Sequence, residues 1–488
     1  MAKLKNIIKQ LSEKDFQAIY ESLITSNAEK SAYLMKSLRD LNLSDSKIMV
    51  ELDVNANAYY TLRSRLNQKI EEHLLQQMES PRTDILKKVA NINEVLFTKK
   101  RTISIATLKK IEKELIDYDL ANELTVVYKQ LKKLHLNSSE QFTYSQLYNR
   151  HIAYTLAVDK AEHLVAEYFK KFSSYYFSAS PQDKMSLNLQ LKEMHSVAKL
   201  YQSHRLYIFS SCINVFHQLF VESDPGTEQN LESVEDIFSN VQKVFDNYPM
   251  DPVYYHLRLV FEFLKLEYYN HYRVFKQAEK YYEEINEAAT NLLMNYGYFT
   301  FPPQFLISKL SRSLRLGVEM ELYAENENLF RDIELDGGDL VTTAVFDIYR
   351  ALSNYYVGKY DESAKIINQL LNSSGLKNYP FVLMEIKALL ALQYCMQNDF
   401  DLFNQLSSSI QRQIRLLGKD ACENIVLFLK MLKYAASDSA RDKAVRIKAL
   451  AERIGNLPLS TYFSPTSFIR MDDAFVKKLC AVDFQSGS

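Results

Sequence analysis

Gly358-Lys359-Tyr360-Asp361-Glu362-Ser363-Ala364 joins two apolar helical patterns, and Asn398-Asp399-Phe400-Asp401-Leu402-Phe403-Asn404 joins the next two. Ala344, Ile348, Ala351 and Tyr355 recur at helical spacing before the first turn, and Ala364, Ile367, Leu370 and Leu371 follow it. The second pattern begins at Pro380, carries Ile386, Leu389, Leu390 and Gln393, and continues past its turn through Phe403, Leu406 and Ile410. Gly358 stands where Asn398 stands and Tyr360 where Phe400 does, so 398 − 358 and 400 − 360 both give a period of 40. A helical hairpin cannot cover its own apolar face, and a neighbouring copy can. Residues 340–415 therefore predict stacked helical hairpins.

The run from Gly358 to Ala364 resembles the turn and second helix of a tetratricopeptide repeat, with glycine, aromatic, acidic and small residues in that order. The second hairpin departs from that pattern at Asn398 and Asn404, and its period of 40 exceeds the family's. The chain thus resembles a divergent member of the helical-repeat superfamily. That resemblance implies a tetratricopeptide-like α-solenoid, all-α, preceded by an N-terminal helical segment, and a scaffold that binds a protein or peptide partner without chemistry.

Composition supports the class. The 488 residues are 47% hydrophobic and 24% charged, enough to bury a large core. Only 10 glycines and 10 prolines occur, with no glycine before Gly226, which leaves the first half short of the turns an all-β fold needs. The formal net charge of −1 gives no overall attraction to nucleic acid or an anionic membrane. No apolar run is long enough to span a bilayer, and Met1–Gln10 lacks the apolar core of a signal peptide. A cytoplasmic protein is the simplest expectation, with Cys212, Cys395, Cys422 and Cys480 as buried, reduced thiols.

Along the chain, four regions are expected: an N-terminal helical region over 1–136, a long hairpin or divergent repeats over 137–223, tetratricopeptide-like repeats over 224–455, and a cap over 456–488. Asp224-Pro225-Gly226-Thr227 is the strongest turn and the preferred boundary. The tracts Gln141–Phe177 and Gln182–Val221 each read as one helix or two; Asp159-Lys160-Ala161 resembles a repeat turn and favours breaks near Val158-Asp159 and Ser203-His204. Leu457–Ser467, with Ser464 and Pro465, reads as an extended segment lying over the end of the array.

No phosphate loop, nucleophile elbow or dinucleotide fingerprint is present, and the nine histidines form no His-x-x-x-His or Glu-x-x-His pair. No catalytic residue, cofactor or metal is predicted. Six adjacent tyrosine pairs occur, at 59/60, 175/176, 254/255, 268/269, 281/282 and 355/356. Neighbours on a helix diverge by about 100°, so one ring packs while the other reaches outward. Gap-filling between helices is the preferred reading, and a partner-gripping groove is the functional one. Asn354, Tyr355 and Lys387 are the candidate partner-binding positions. The alternative function is a transcriptional regulator: Ser44–Leu52 followed by Ala56–Met78 resembles a helix-turn-helix whose second helix would offer Arg63, Arg65 and Lys69 to DNA. Arg63 and Arg65 point in different directions on one helix, and residues 1–150 carry 24 basic against 19 acidic side chains, so nucleic-acid binding is not expected.

Overall fold

The computed structural model describes residues 4, 8, 11, 13–26, 28–39, 45–77, 81–201, 203–222, 232–249, 251–330, 339–437, 442–458 and 460–482. Among them are 24 α-helices and no strand. Asp224-Pro225-Gly226-Thr227 lies outside the described residues. The chain divides into two compact units, residues 1–151 and 152–488.

The first unit begins with α1 (Glu13–Thr25), α2 (Glu29–Arg39), α3 (Asp45–Glu51) and α4 (Ala56–Gln77). Phe16, Ile19, Leu34, Met35, Leu38, Ile48, Tyr59, Leu66 and Ile70 bury together between them. A second cluster, including Ile85, Leu108, Ile111, Leu115, Leu124, Val127 and Leu131, is built by α5 (Pro81–Ala90), α6 (Ile92–Thr98), α7 (Arg101–Asp117) and α8 (Ala121–Leu134).

The division between the units falls within α9 (Glu140–Ser178), a helix of 39 residues. The break expected near Val158-Asp159 is absent. The local sequence contains neither glycine nor proline, and the buried stripe of Tyr154, Ala161, Leu164, Val165, Tyr168 and Phe172 stays in register across it. Lys160 pairs with Glu193 at 2.6 Å. The second tract does break where expected, into α10 (Pro181–Leu200) and α11 (His204–Phe220), because the Ser203 side chain accepts from the Arg205 and Leu206 amides and starts a new helix.

The remaining helices of the second unit are α12 (Val234–Asn247), α13 (Pro252–His271), α14 (Phe275–Glu287), α15 (Ala289–Asn295), α16 (Pro303–Leu316), α17 (Glu321–Leu329), α18 (Leu340–Tyr356), α19 (Tyr360–Leu371), α20 (Pro380–Met396), α21 (Phe400–Leu417), α22 (Glu423–Ala435), α23 (Lys443–Gly455) and α24 (Asp473–Cys480). Within hairpins, α13 packs on α14, α18 on α19, α20 on α21 and α22 on α23; between hairpins, α13 packs on α16, α16 on α18, α19 on α20 and α20 on α22.

One backbone device makes these turns. Arg273 (φ 59°), Gly317 (φ 74°), Gly358 (φ 79°) and Asn398 (φ 60°) all lie in the left-handed region. In each case the next amide reaches back five residues: Val274 to Tyr269, Val318 to Ser313, Lys359 to Asn354 and Asp399 to Tyr394, at 2.8–3.0 Å. This is the Schellman ending of a helix. Asp53 (φ 48°) and Asp119 (φ 49°) close helices in the first unit the same way, through Val54 to Met49 and Leu120 to Leu115. These two turns of the first unit use aspartate, which tolerates the left-handed region better than most side chains, and Ala179 (φ 48°) takes the same region at the end of α9.

Ala364, on α19, is 5% exposed. Ala364→Leu should overpack the α18–α19 hairpin at about 1–3 kcal/mol. Hydrogen exchange should then quicken in α18 and α20 before α10 and α11; uniform quickening would contradict neighbour-by-neighbour stacking.

Candidate functional site

Among the described residues, the segment after α23 is the one long stretch of the second unit that is neither an α-helix nor a short turn, and it lies across several helices. Pro465 holds Ser464 extended (φ −118°, ψ 93°) and opens a short 3-10 turn, Pro465–Phe468, which packs on α20 and α16. Phe463 is 3% exposed, stacked on Phe177 at 5.4 Å and beside Tyr176. Tyr462 stacks on Phe381 at 5.3 Å. Burying a side chain the size of Phe463 stabilises by about 2 kcal/mol.

The polar contacts of this strap are those that helix ends and buried acids require. The Phe463 amide donates to the Tyr176 carbonyl at 3.1 Å, and the Arg470 Nη2 donates to the Leu314 carbonyl. Both acceptors stand in last turns, of α9 and α16, where no intrahelical donor is left. Arg470 Nη1 also donates to Glu319 Oε1 at 2.9 Å, and a Cβ at Gly317 would stand 3.6 Å from the guanidinium. The Tyr356 hydroxyl, at the end of α18, donates to the Phe468 carbonyl and accepts from the Arg470 amide at 3.1 Å.

Glu385 of α20 is fully buried. Its carboxylate accepts from the Thr466 amide at 3.2 Å, the Thr466 hydroxyl and Asn424 Nδ2. Burial pushes the Glu385 carboxyl above the ordinary range, and the bonds from Thr466, Ser464 and Asn424 oppose that rise. A second buried acid, Glu267 of α13, is 4% exposed and accepts from Gln304 Nε2 at 3.3 Å and from the Ser308 hydroxyl, both on α16. Its pKa is pushed up to about 7 by burial. The opposite case is His217 of α11, which burial pulls down to about 4. Its Nδ1 shares a hydrogen bond of 2.9 Å with the buried Tyr168 hydroxyl, with the donor set by the imidazole tautomer.

The residues singled out in the sequence lie beside the strap contacts. Asn354 is half-buried, and its side chain donates to the Arg350 carbonyl while its own carbonyl closes the Gly358 turn. Tyr355 is 5% exposed and packs on Tyr356 and Tyr360. Lys387 is half-buried, donates to Gln413 of α21 at 3.2 Å, and is pulled below the ordinary lysine range by burial. Tyr356 and Glu385, one and two positions away, are the residues that meet the strap.

Sequence reasoning missed them, although Glu385 carried a signal. It is the one acid of α20 and stands four residues before the buried Leu389, at a core position of an apolar helix. Of the tyrosine pairs, two split as expected: Tyr59 is 1% exposed and Tyr60 54%, Tyr254 is 0% and Tyr255 70%. Cys212, Cys395 and Cys422 are buried, whereas Cys480 is half-buried.

In the first unit, α4 turns Tyr59, Leu66 and Ile70 inward against α1 and α2. Arg63 is half-buried with its guanidinium 5.8 Å from the Tyr59 ring, Arg65 is exposed and Lys69 half-buried. At 100° per residue, Arg63 flanks the buried stripe on one side and Arg65 and Lys69 on the other. No single face presents all three.

Among the described residues, no group of three or more His, Cys, Asp or Glu could hold a metal ion, and no helix is long and apolar enough to cross a membrane. Comparison with protein-family models, curated proteins and solved structures finds no match to this chain.

Two outcomes follow. A group whose folded pKa is raised stabilises fully below its unfolded value and loses that contribution as pH rises through the folded one. For Glu267 the window is about 4.5 to 7. Glu267→Gln should therefore gain over the native chain across that window, reaching about 3 kcal/mol at pH 8 by the equivalence of one pKa unit with about 1.4 kcal/mol. Denaturant midpoints at pH 4.5 and 8 read it, and an equal difference at both pH values would refute it. For His217 the sign is reversed: its neutral form is favoured, so stability is lost as pH falls from 6.5 towards 4. On the DNA alternative, anisotropy of labelled mixed-sequence duplex should show only weak, salt-sensitive attraction, unchanged by Arg63→Ala/Arg65→Ala. Tight binding to a selected sequence, abolished by that double change in a folded chain, would favour the regulator.

Proposed function

We propose that this chain is a non-enzymatic, tetratricopeptide-like helical-repeat scaffold that binds a protein or peptide partner in the cytoplasm. One observation carries the reading: the second unit holds an irregular segment, residues 462–470 with one 3-10 turn at Pro465–Phe468, across α16, α18 and α20 through backbone donors, a hydroxyl, a guanidinium and stacked rings. In peptide recognition generally, main-chain hydrogen bonds give affinity and pockets for side chains give specificity. The repeated left-handed turns at 273, 317, 358 and 398 and the hairpin-on-hairpin packing support the solenoid reading. No nucleophile–base pair was found in the sequence, and the buried acids are engaged with hydroxyl and amide donors.

The test is site-specific photocross-linking in extract of the native cell. In a chain loosened by Phe463→Ala, a benzoylphenylalanine replacing Phe381 on this face should capture a recurring protein, and the same group at the exposed Lys365 of α19 or Arg412 of α21 should capture it at most a tenth as well. Equal capture at all three positions, or none, would count against a partner-binding face.

A further inference from the structure

The strap occupies its site with a defined set of chemical groups, and that set describes what else could sit there. From Tyr462 to Arg470 it reads Tyr-Phe-Ser-Pro-Thr-Ser-Phe-Ile-Arg. The ring of Phe463 fills the aromatic pocket of Tyr176 and Phe177, Pro465 and Thr466 are buried, and Ser467 is exposed. Arg470 answers Glu319, itself 9% exposed, and the end of α16. A buried carboxylate stripped of its donors is costly, as is a buried last-turn carbonyl. Whatever replaces the strap must therefore bring an amide for Tyr176, an amide and a hydroxyl for Glu385, and a cation for Glu319. An apolar helix would leave all three unanswered.

We propose that the strap is an internal stand-in for the partner: the face across α16, α18 and α20 takes a partner segment with one tight turn, carrying an aromatic residue, a hydroxyl residue three positions on and an arginine four beyond that, and the chain's own residues 462–470 compete with it. The spacing is that of Phe463, Thr466 and Arg470. This inference rests on the scaffold reading above and adds the partner's chemistry and its competitor. A tethered segment faces its site at an effective concentration on the order of mM, so a free segment at tens of micromolar is excluded until the strap is weakened.

The experiment uses full-length chain and a fluorescent peptide copying residues 460–472. Fluorescence polarisation is measured with the native chain, with Phe463→Ala/Arg470→Ala, and with the milder Thr466→Val, each checked for helicity and a cooperative thermal transition. The weakened chains should bind the peptide at least 10-fold more tightly than the native chain. Peptides in which Phe463 or Arg470 is replaced by alanine should lose at least 10-fold. If native and weakened chains bind the peptide equally, the face binds such segments but the strap does not compete, and only this inference fails. If neither folded variant binds it, the peptide-binding face itself is refuted. Should the double variant fail to fold, the Thr466→Val comparison decides alone. Light scattering gives the remaining outcome: a native dimer that the strap variants dissolve would assign the face to a second copy and overturn the proposal.

Discussion

A buried hydrogen-bonding group must find a partner, and in the second unit several of the hardest to satisfy find theirs in one strap. The last carbonyls of α9 and α16 have no helical donor, and Glu385 sits on a helix whose neighbouring side chains are apolar. Leaving any one of these buried and unpaired costs roughly 1–3 kcal/mol, more for a charge. Phe463, Thr466 and Arg470 answer them in turn, so nine consecutive residues connect the ends of helices more than 100 positions earlier in the chain. Helix ends and strap thus specify each other.

The same accounting explains the buried acids elsewhere. Glu267 draws on Gln304 and Ser308, and it holds α13 to α16 with hydrogen bonds rather than with an ion pair. His217 does the complementary thing between α9 and α11 through Tyr168. The pH trends of the two oppose each other over much of the range from 4.5 to 6.5, so the native chain hides a dependence that single substitutions expose.

Much of the architecture was legible because helical periodicity and turn chemistry are local. The equivalence of Gly358 and Asn398 could be read from spacing, and both residues adopt the same left-handed geometry. The break expected near Ser203-His204 is made by the Ser203 cap, whereas Asp159-Lys160-Ala161 imitated a turn without its backbone: no residue there needs a positive φ, and the buried stripe runs on. Ser464 and Pro465 were expected over the end of the array, and their contacts with α16 and α20 were not legible. Which acid a distant threonine will meet depends on how hairpins stack, and that information is not local. Asn354, Tyr355 and Lys387 were read from α18 and α20, on which Tyr356 and Glu385 bond to the strap.

The central claim is that residues 462–470 are held on the face of α16, α18 and α20 by the hydrogen bonds of Phe463, Thr466 and Arg470. Amide hydrogen exchange at Phe463 and Thr466 measures this directly, since their N–H groups bond to the Tyr176 carbonyl and the Glu385 carboxylate. The account predicts slow exchange at both, slower than at the exposed Ser467 and faster than in the middle of α20, because the strap can leave its face while the helices stay folded. Exchange at Phe463 and Thr466 at the rate of an unstructured peptide would contradict it.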